Sequence, residues 1–430
     1  MQNANRSRAR YIYGPVFATG LLVLGAALVA GIGGSIVKDG RFPPVGITYF
    51  PQIKRLIDDK RLAEAEKQLR LSMKLDPDHR AASYYLLAGV LFTQGQVKEA
   101  RFALEASMSY PTYPPDAHNR LAGMLEHSGD EVGAIRHYEQ AVRSDPAAKE
   151  AHYRLGRLYQ KHHKLEQAAA SYQRTLEVLP DHAEARQTLY RVLLAMGRHD
   201  QHEGKWEQAV EHYRRAAQID PQTPQPHYLL GQLRLQQHEP EQAEAHFQTA
   251  VGLQHDHLRS IIGSSQALQM RNKTDQALAR LHYAINVAPR EAMPRAMMGL
   301  FLEGQSDVRG AVTHYRQALE RDPDVPNVAN SLAWILATTT DPQLRDPDQA
   351  VALARHASAL SQDKDPRHLH TLAVAYAIAG KQGQAAATAE KAKASARATG
   401  DKALLDAIGR SLARYGAGRA TRESTQESAP

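Results

Sequence analysis

HYRLGRLY at residues 152–159, followed by AAASY at 168–172 and then Pro180, is the stretch on which the fold turns. His152, Leu155, Gly156 and Tyr159 recur at helical spacing and share one face of a helix. Ala168 and Tyr172 lie one turn apart on a second helix. Pro180 stops that helix, because proline lacks an amide donor and clashes with the preceding turn. Small residues on both helices, Gly156 and Ala168, let an antiparallel pair approach closely while large side chains fill the gaps.

The pattern runs outward in both directions. Ala65, Ala100, Ala134, Ala168, Ala209, Ala243, Ala277, Ala311, Ala350 and Ala385 mark one position, with spacings of 35, 34, 34, 41, 34, 34, 34, 39 and 35. Four residues later stand Leu69, Leu104, Tyr138, Tyr172, Tyr213, Phe247, Leu281, Tyr315, Ala354 and Ala389. Twelve residues later come Pro77, Pro146, Pro180, Pro221, Pro289 and Pro323. A period near 34 that recurs nine times is a repeat array. It overrides the two or three globular domains that 430 residues would otherwise suggest.

These residues resemble the tetratricopeptide repeat (TPR), whose pattern W-x2-L-G-x2-Y, A-x3-F, P returns every 34 residues. The resemblance covers residues 46–397, with Tyr84, His118, His152 and His227 at the Trp position. It implies an all-α, helix-turn-helix solenoid of about ten units. Residues 330–357, NSLAWILATTTDPQLRDPDQAVALARHA, are similar to the terminal repeats of bacterial TPR proteins, some of them joined to membrane-embedded glycosyltransferases. Two steps depart from the period. The seven extra residues between Ala168 and Ala209 are nearly two helical turns, so both helices between Leu189 and Trp206 are expected to lengthen. The other long step contains Pro342 and Pro347, which predict an extended turn within one unit. Residues 398–415 are expected to cap the open end, with 416–430 as a polar, disordered tail.

Before the array, 27 residues from Tyr11 to Val37 carry no charge. A helix of that length reaches about 40 Å, enough to cross a hydrocarbon core of about 30 Å. The stretch is too long for a secretory signal, and the residues around Ala30 fit a cleavage site poorly, so an uncleaved anchor is expected. Arg6, Arg8 and Arg10 place residues 1–10 on the cytoplasmic side. Residues 38–45 are then a linker, and the array faces the periplasm or extracytoplasmic space from a single-pass inner-membrane anchor.

No cysteine occurs, which excludes disulfide scaffolds, cysteine zinc sites and thiol nucleophiles. The net charge of +7 comes from interleaved charges, so nucleic acid is not the expected partner. No phosphate-binding glycine loop or G-x-S-x-G is present, and His202-Glu203 opens an H-E-x-x-H that Trp206 breaks. Neither an enzyme nor a cofactor is expected. Of the 21 histidines, only His199 and His202 among the close pairs have helical spacing for a shared metal. His137, His212, His246 and His314 share one second-helix position, which points to a structural role or a solvated edge, and protonation near pH 6 is expected to add positive charge to the array.

In TPR proteins the concave surface is formed by first-helix positions that packing leaves free. Carried onto this chain by the resemblance, these are Asn119, Arg120, Tyr153, Arg154, Arg157, Lys161 and Arg191, a basic stretch, then Tyr228, Gln232, Gln266 and Asn330 for hydrogen bonds, with Met297 and Leu300 apolar. They suggest a protein client or an extended, carboxylate-bearing peptide. The lysine and asparagine clamp of chaperone-tail-binding TPR domains is not recognisable. The resemblance thus implies a membrane-anchored interaction scaffold, of the kind that serves envelope assembly, export, or cytochrome or polysaccharide biogenesis. The alternative is an accessory subunit of a membrane glycosyltransferase or polysaccharide synthase.

Overall fold

The computed structural model of the chain describes residues 49–413, and these are helical, with no strand among them. The expected basic segment, anchor, linker and tail lie outside the described residues. Two compact units meet in sequence at Met196 and Gly197. The first contains α1 (Tyr49–Asp58), α2 (Leu62–Leu75), α3 (Arg80–Thr93), α4 (Val97–Met108), α5 (Ala117–His127), α6 (Glu131–Ser144), α7 (Lys149–Lys161) and α8 (Leu165–Val178). Helix α9 (Ala183–His202) runs from the first unit into the second. The second continues with α10 (Trp206–Ile219), α11 (Gln225–Gln236), α12 (Pro240–Leu253), α13 (Leu258–Met270), α14 (Thr274–Val287) and α15 (Ala292–Gly304). It ends with α16 (Val308–Arg321), α17 (Pro326–Thr338), α18 (Pro347–Leu360), α19 (Pro366–Ile378) and α20 (Gln382–Thr399). Odd-numbered helices are the first helix of each repeat and even-numbered ones the second.

Each repeat is held by one kind of contact. All ten marker alanines are fully buried, and the residue one turn later is buried with them. At Tyr172, Tyr213, Phe247 and Tyr315 the ring lies flush against a first-helix glycine, while Tyr138 faces Ala122. A Cβ added to Gly156 would stand 2.8 Å from the Tyr172 ring, and one on Gly197 2.5 Å from Tyr213. Gly231 and Gly299 meet Phe247 and Tyr315 at 2.6 Å in the same way. Where the second-helix residue is Leu104 or Leu281, the first helix carries Ala88 or Ser265 instead, so side-chain size is exchanged across the pair.

The tyrosine rings leave a hydroxyl at the far end that burial obliges to find a partner. Tyr138, Tyr172, Tyr213 and Tyr315 each donate to the residue twelve positions back, Glu126, Gln160, Gln201 and Glu303, at 3.0, 2.9, 2.9 and 2.6 Å. Burial raises the pKa of all four, so they remain donors. Phe247 has no hydroxyl, and the residue twelve back, Leu235, packs against its cluster instead.

Except in the repeat of Ala350, the turn inside each repeat places a left-handed residue five positions before the marker alanine. Gly95, Gly129, Gly204 and Gly380 fill it with φ between 71° and 85°. Lys60, His163, His238, Asn272 and Ser306 adopt the same conformation at φ 57–64°, although a Cβ makes it costly. This accounts for His163 as a turn residue. The prolines stand two residues beyond the end of α6, α8, α10, α14 and α16, as the stop signal requires.

The longest step resolves differently from expectation. Only α9 lengthens, to 20 residues, while α10 keeps 14. One helix can absorb nearly two turns without rotating its buried face, so its partner need not change. The second long step is the extended turn expected: residues 339–346 leave the helix and are tied to α16 by Arg309, whose Nε donates to Asp341 at 2.8 Å. Asp346 caps α18 by accepting from the Gln349 amide at 2.9 Å. Residues 402–413 are helical, and fully buried Ile408 packs them onto the end of the array. Among the described residues no helix is long and apolar enough to cross a membrane.

The helix contact makes a prediction. Gly156→Leu drives a side chain into the Tyr172 ring and should cost about 1–3 kcal/mol of stability by overpacking. Gly383→Ala, where a Cβ meets nothing within 4 Å, should leave the melting temperature unchanged or higher. Equal behaviour of the two variants in thermal melts would contradict the packing.

Candidate functional site

The first-helix face differs between the two units. In the first, most of the expected basic residues are neutralised by the protein itself. Arg120 needs correction as a free cation: it is only 7% exposed, its guanidinium lies 4.3 Å over the Tyr85 ring, and its Nε donates to Asp116 at 2.8 Å. Asp116 also accepts from Asn119 Nδ2 at 3.1 Å and from Tyr85 Oη at 2.9 Å, so Asn119 is drawn into the same knot. Tyr153 repeats the Tyr85 arrangement two units on, donating to Glu184 at 2.7 Å with its ring 4.6 Å from His182.

Arg154 is half-buried, donates to Glu150 at 2.7 Å and lies 3.7 Å from Glu126. Lys161 is exposed and paired with Glu131, which also meets His162 Nε2 at 3.0 Å. Arg157 is exposed and takes no hydrogen bond or ion pair among the described residues, and Arg191 makes only a 3.4 Å bond to Thr188. The basic stretch therefore reduces to Arg157 and Arg191.

In the second unit the face is built from amides and apolar side chains. Tyr228 is half-buried, with His257 5.6 Å and Phe247 6.2 Å from its ring, and its hydroxyl is hydrogen-bonded to exposed Gln232. Gln201 Nε2 donates to Gln236 at 2.7 Å. Met297 is partly buried and packs into two core clusters, so the partner contact expected of it falls to its neighbours. Leu300 is well exposed, as are Met293 on the same helix and Trp334 at 38%. Met270 and Ile378, at the ends of α13 and α19, are exposed too. Leu300 and Trp334 are 34 residues apart, one repeat at the same position.

Asn330 sits one turn before Trp334, and its Oδ1 is buried without a hydrogen-bond partner. Glu303, three residues after Leu300, already accepts from Tyr315 Oη. The resulting surface offers large apolar side chains and amides. Met270, Met293, Trp334 and Ile378 escaped the sequence reading, although extending the register that gave Arg157 and Lys161 reaches Met270, Trp334 and Ile378, and Met293 lies two turns before Leu300.

Six of the histidines pair with one another or with polar neighbours inside the array. His118 and His137 stack with ring centroids 5.3 Å apart and Nδ1 atoms 3.0 Å apart, and His227 and His246 repeat the pair in the second unit at 6.1 Å. His368 and His370 turn to different partners, Asn327 and Ser411, each at 3.2 Å. Burial lowers the pKa of His118, His137, His227 and His314, and takes His246 down to about 4, with His227 adding to the shift. Charging of His137, His246 and His314 is thus held back below the ordinary imidazole range, while His212 at the same position lies 3.2 Å from Asp200. Among the described residues no group of three metal-ligating side chains comes together.

With the geometry in place, the comparisons can be set beside it. Residues 132–181 and 153–201 match a family model described as a tetratricopeptide repeat, and residues 202–237 match one described as a TPR repeat. The matched units are TPR repeats. No curated protein matches the chain. Among solved structures, yeast Tom70 is similar at 13% identity over 88% of this chain and 96% of its own, with a TM-score of 0.43. YrrB, described as a TPR protein with an unusual peptide-binding site, is 18% identical over 45% of this chain and 96% of its own, with a TM-score of 0.34. PilF from Pseudomonas aeruginosa is 19% identical over 49% of this chain and 92% of its own, at 0.30. These likenesses are too loose to carry any argument about function. TPR units are protein-interaction modules, and the flanking repeats keep the same register.

The buried histidines set a pH dependence. Their folded pKa values lie below the unfolded value of 6.5, so the unfolded chain binds protons first as pH falls. Stability should be level above about pH 7 and decline from pH 6.5 towards 4. Replacing His137 and His246 by glutamine should flatten that decline in melts run between pH 7.5 and 5. A wild-type melting temperature that rises on acidification would contradict the assignment.

Proposed function

We propose that the chain is a membrane-anchored interaction scaffold, in which the first-helix face of the second unit holds an extended segment of a client protein. The observation that carries this reading is the exposure of Met293, Leu300 and Trp334 on the first helices of the second unit. Large apolar side chains held in water on a rigid helix face favour an apolar partner, and tryptophan is a frequent anchor of such contacts. An extended backbone offers both N–H and C=O groups, and the exposed side-chain amides of Gln232 and Gln236 can donate or accept. Exposed Arg157 and Arg191 in the first unit would meet carboxylates of the same or another client.

Residues 11–37 supply the anchor in this reading, with the N-terminus in the cytoplasm and the array beyond the inner membrane. Envelope assembly, export, or cytochrome or polysaccharide biogenesis would then be the setting.

Protease accessibility on spheroplasts, followed by crosslinking and pull-down, tests the proposal. The expected result is an array degraded from outside and a captured extracytoplasmic protein. Recovery should fall at least tenfold in the Leu300→Ala, Trp334→Ala double variant, with little change in melting temperature. Undiminished recovery would remove the face from the reading. A protected array bound to a membrane synthase would reverse the topology and favour the accessory-subunit role.

A further inference from the structure

Two clefts on the side of the second helices occupy the same place in the repeat, one in each compact unit. The first, of about 340 Å³, lies between α6, α7 and α8, and the second, of about 420 Å³, between α12, α13 and α14. Both volumes are within the range of small-ligand sites. Their floors and walls come from equivalent positions, so any difference in what they can hold lies in the side chains.

In the first cleft the protein matches its own charges. Arg143 lies 4.0 Å from Glu139, Glu139 accepts from Tyr159 Oη at 2.6 Å, and Arg174 pairs with Glu177 at 2.7 Å. In the second cleft, Gly252 stands at the position of Arg143, Ser264 at that of Leu155, and Arg280 at that of Ser171. A Cβ added to Gly252 would meet nothing within 4 Å, so this wall is open. Arg280 has no hydrogen bond or ion pair among the described residues. Ser264 is 1% exposed and its Oγ has no partner, a cost that a folded protein normally avoids. Glu244, the nearby carboxylate, is bound to Arg271 and to Gln248 Nε2, and so does not serve Arg280. Val251 and Ile261 supply apolar walls.

We propose that this cleft is a second binding site, independent of the first-helix face, for a carboxylate that carries an apolar side chain. Arg280 pairs with the carboxylate, the Ser264 hydroxyl donates to it, and Val251 and Ile261 take the side chain. A single unpaired cation matches a monoanion, and a charge-assisted bond in a half-enclosed site is stronger than one at the surface. Such a group occurs at the C-terminus of a peptide ending in an aliphatic residue and in a free N-acylated amino acid. Position in the repeat explains why the first cleft is not a second copy of the site: there the equivalent hydroxyl and cation are absent and the charges are already spent.

Calorimetric titration of the full chain with three probes tests the assignment. They are an octapeptide ending in leucine with a free carboxylate, the same peptide amidated, and N-acetyl-leucine. The free-acid peptide should bind saturably, and the amide at least tenfold more weakly. Arg280→Gln and Ser264→Ala should each weaken binding at least fivefold, and Gly252→Leu should block it, all with melting temperatures near that of the parent. Trp334→Ala should leave this binding unchanged, which separates it from the client face. N-acetyl-leucine binding as tightly as the peptide would identify a free acid as the natural ligand, and binding of the peptide alone a chain terminus. The proposal is overturned if neither acid binds, if the amide binds equally well, or if Arg280→Gln has no effect.

Discussion

The contact between an aromatic ring on one helix and a bare glycine backbone on the other governs the rest of this molecule. With the Tyr172 ring against Gly156 and the Tyr213 ring against Gly197, a methyl group has no room between the paired helices. That closeness fixes how each first helix is rotated, because the glycine must face its partner ring. Once the rotation is set, Leu155, Leu158 and Tyr159 around Gly156 are assigned to packing and Arg157 to the open face. Tyrosine at the ring position adds a polar end, and the glutamate or glutamine twelve residues earlier answers it. Phenylalanine removes the need, and Leu235 stands where the acceptor would be.

The difference between the two units follows from what the fixed positions carry. At the position following the small residue stand Arg157 in the first unit and Arg198 at the start of the second, and further along the second unit Leu300 and Trp334. The backbone can be alike while the surface changes from charged to apolar within a few repeats. The side of the second helices shows the same logic, since equivalent clefts are closed by ion pairs in one unit and left with an unmatched serine and arginine in the other. In a repeat array each unit needs only its neighbours for stability, so residues outside the packing positions are free to diversify.

Much of the fold was legible because the packing positions recur with the period. The ten alanines, their partners one turn on and the prolines that follow located nearly every helix. The 41-residue step was misjudged because length alone does not say which helix absorbs it; a continuous apolar face does, and α9 has it. The binding face was less legible, since a register identifies which positions are open but not what captures their side chains. Arg120 looked like its neighbours in sequence, yet Asp116 and the Tyr85 ring bury it. Trp334 reads in sequence as one more apolar residue of α17, whose neighbours Leu332, Ala333, Ile335 and Leu336 are buried. The histidine pairs were hidden for a related reason: residues 19 apart on two helices meet only when the helices are folded together.

The most direct measurement is photo-crosslinking from single positions in cells, with a benzophenone amino acid placed at Leu300, at Trp334 and at exposed Thr313 on the second-helix side. If the first-helix face of the second unit holds the client, Leu300 and Trp334 will give one shared adduct and Thr313 will not. An adduct from Thr313 alone, or adducts of equal yield from all three, would contradict it.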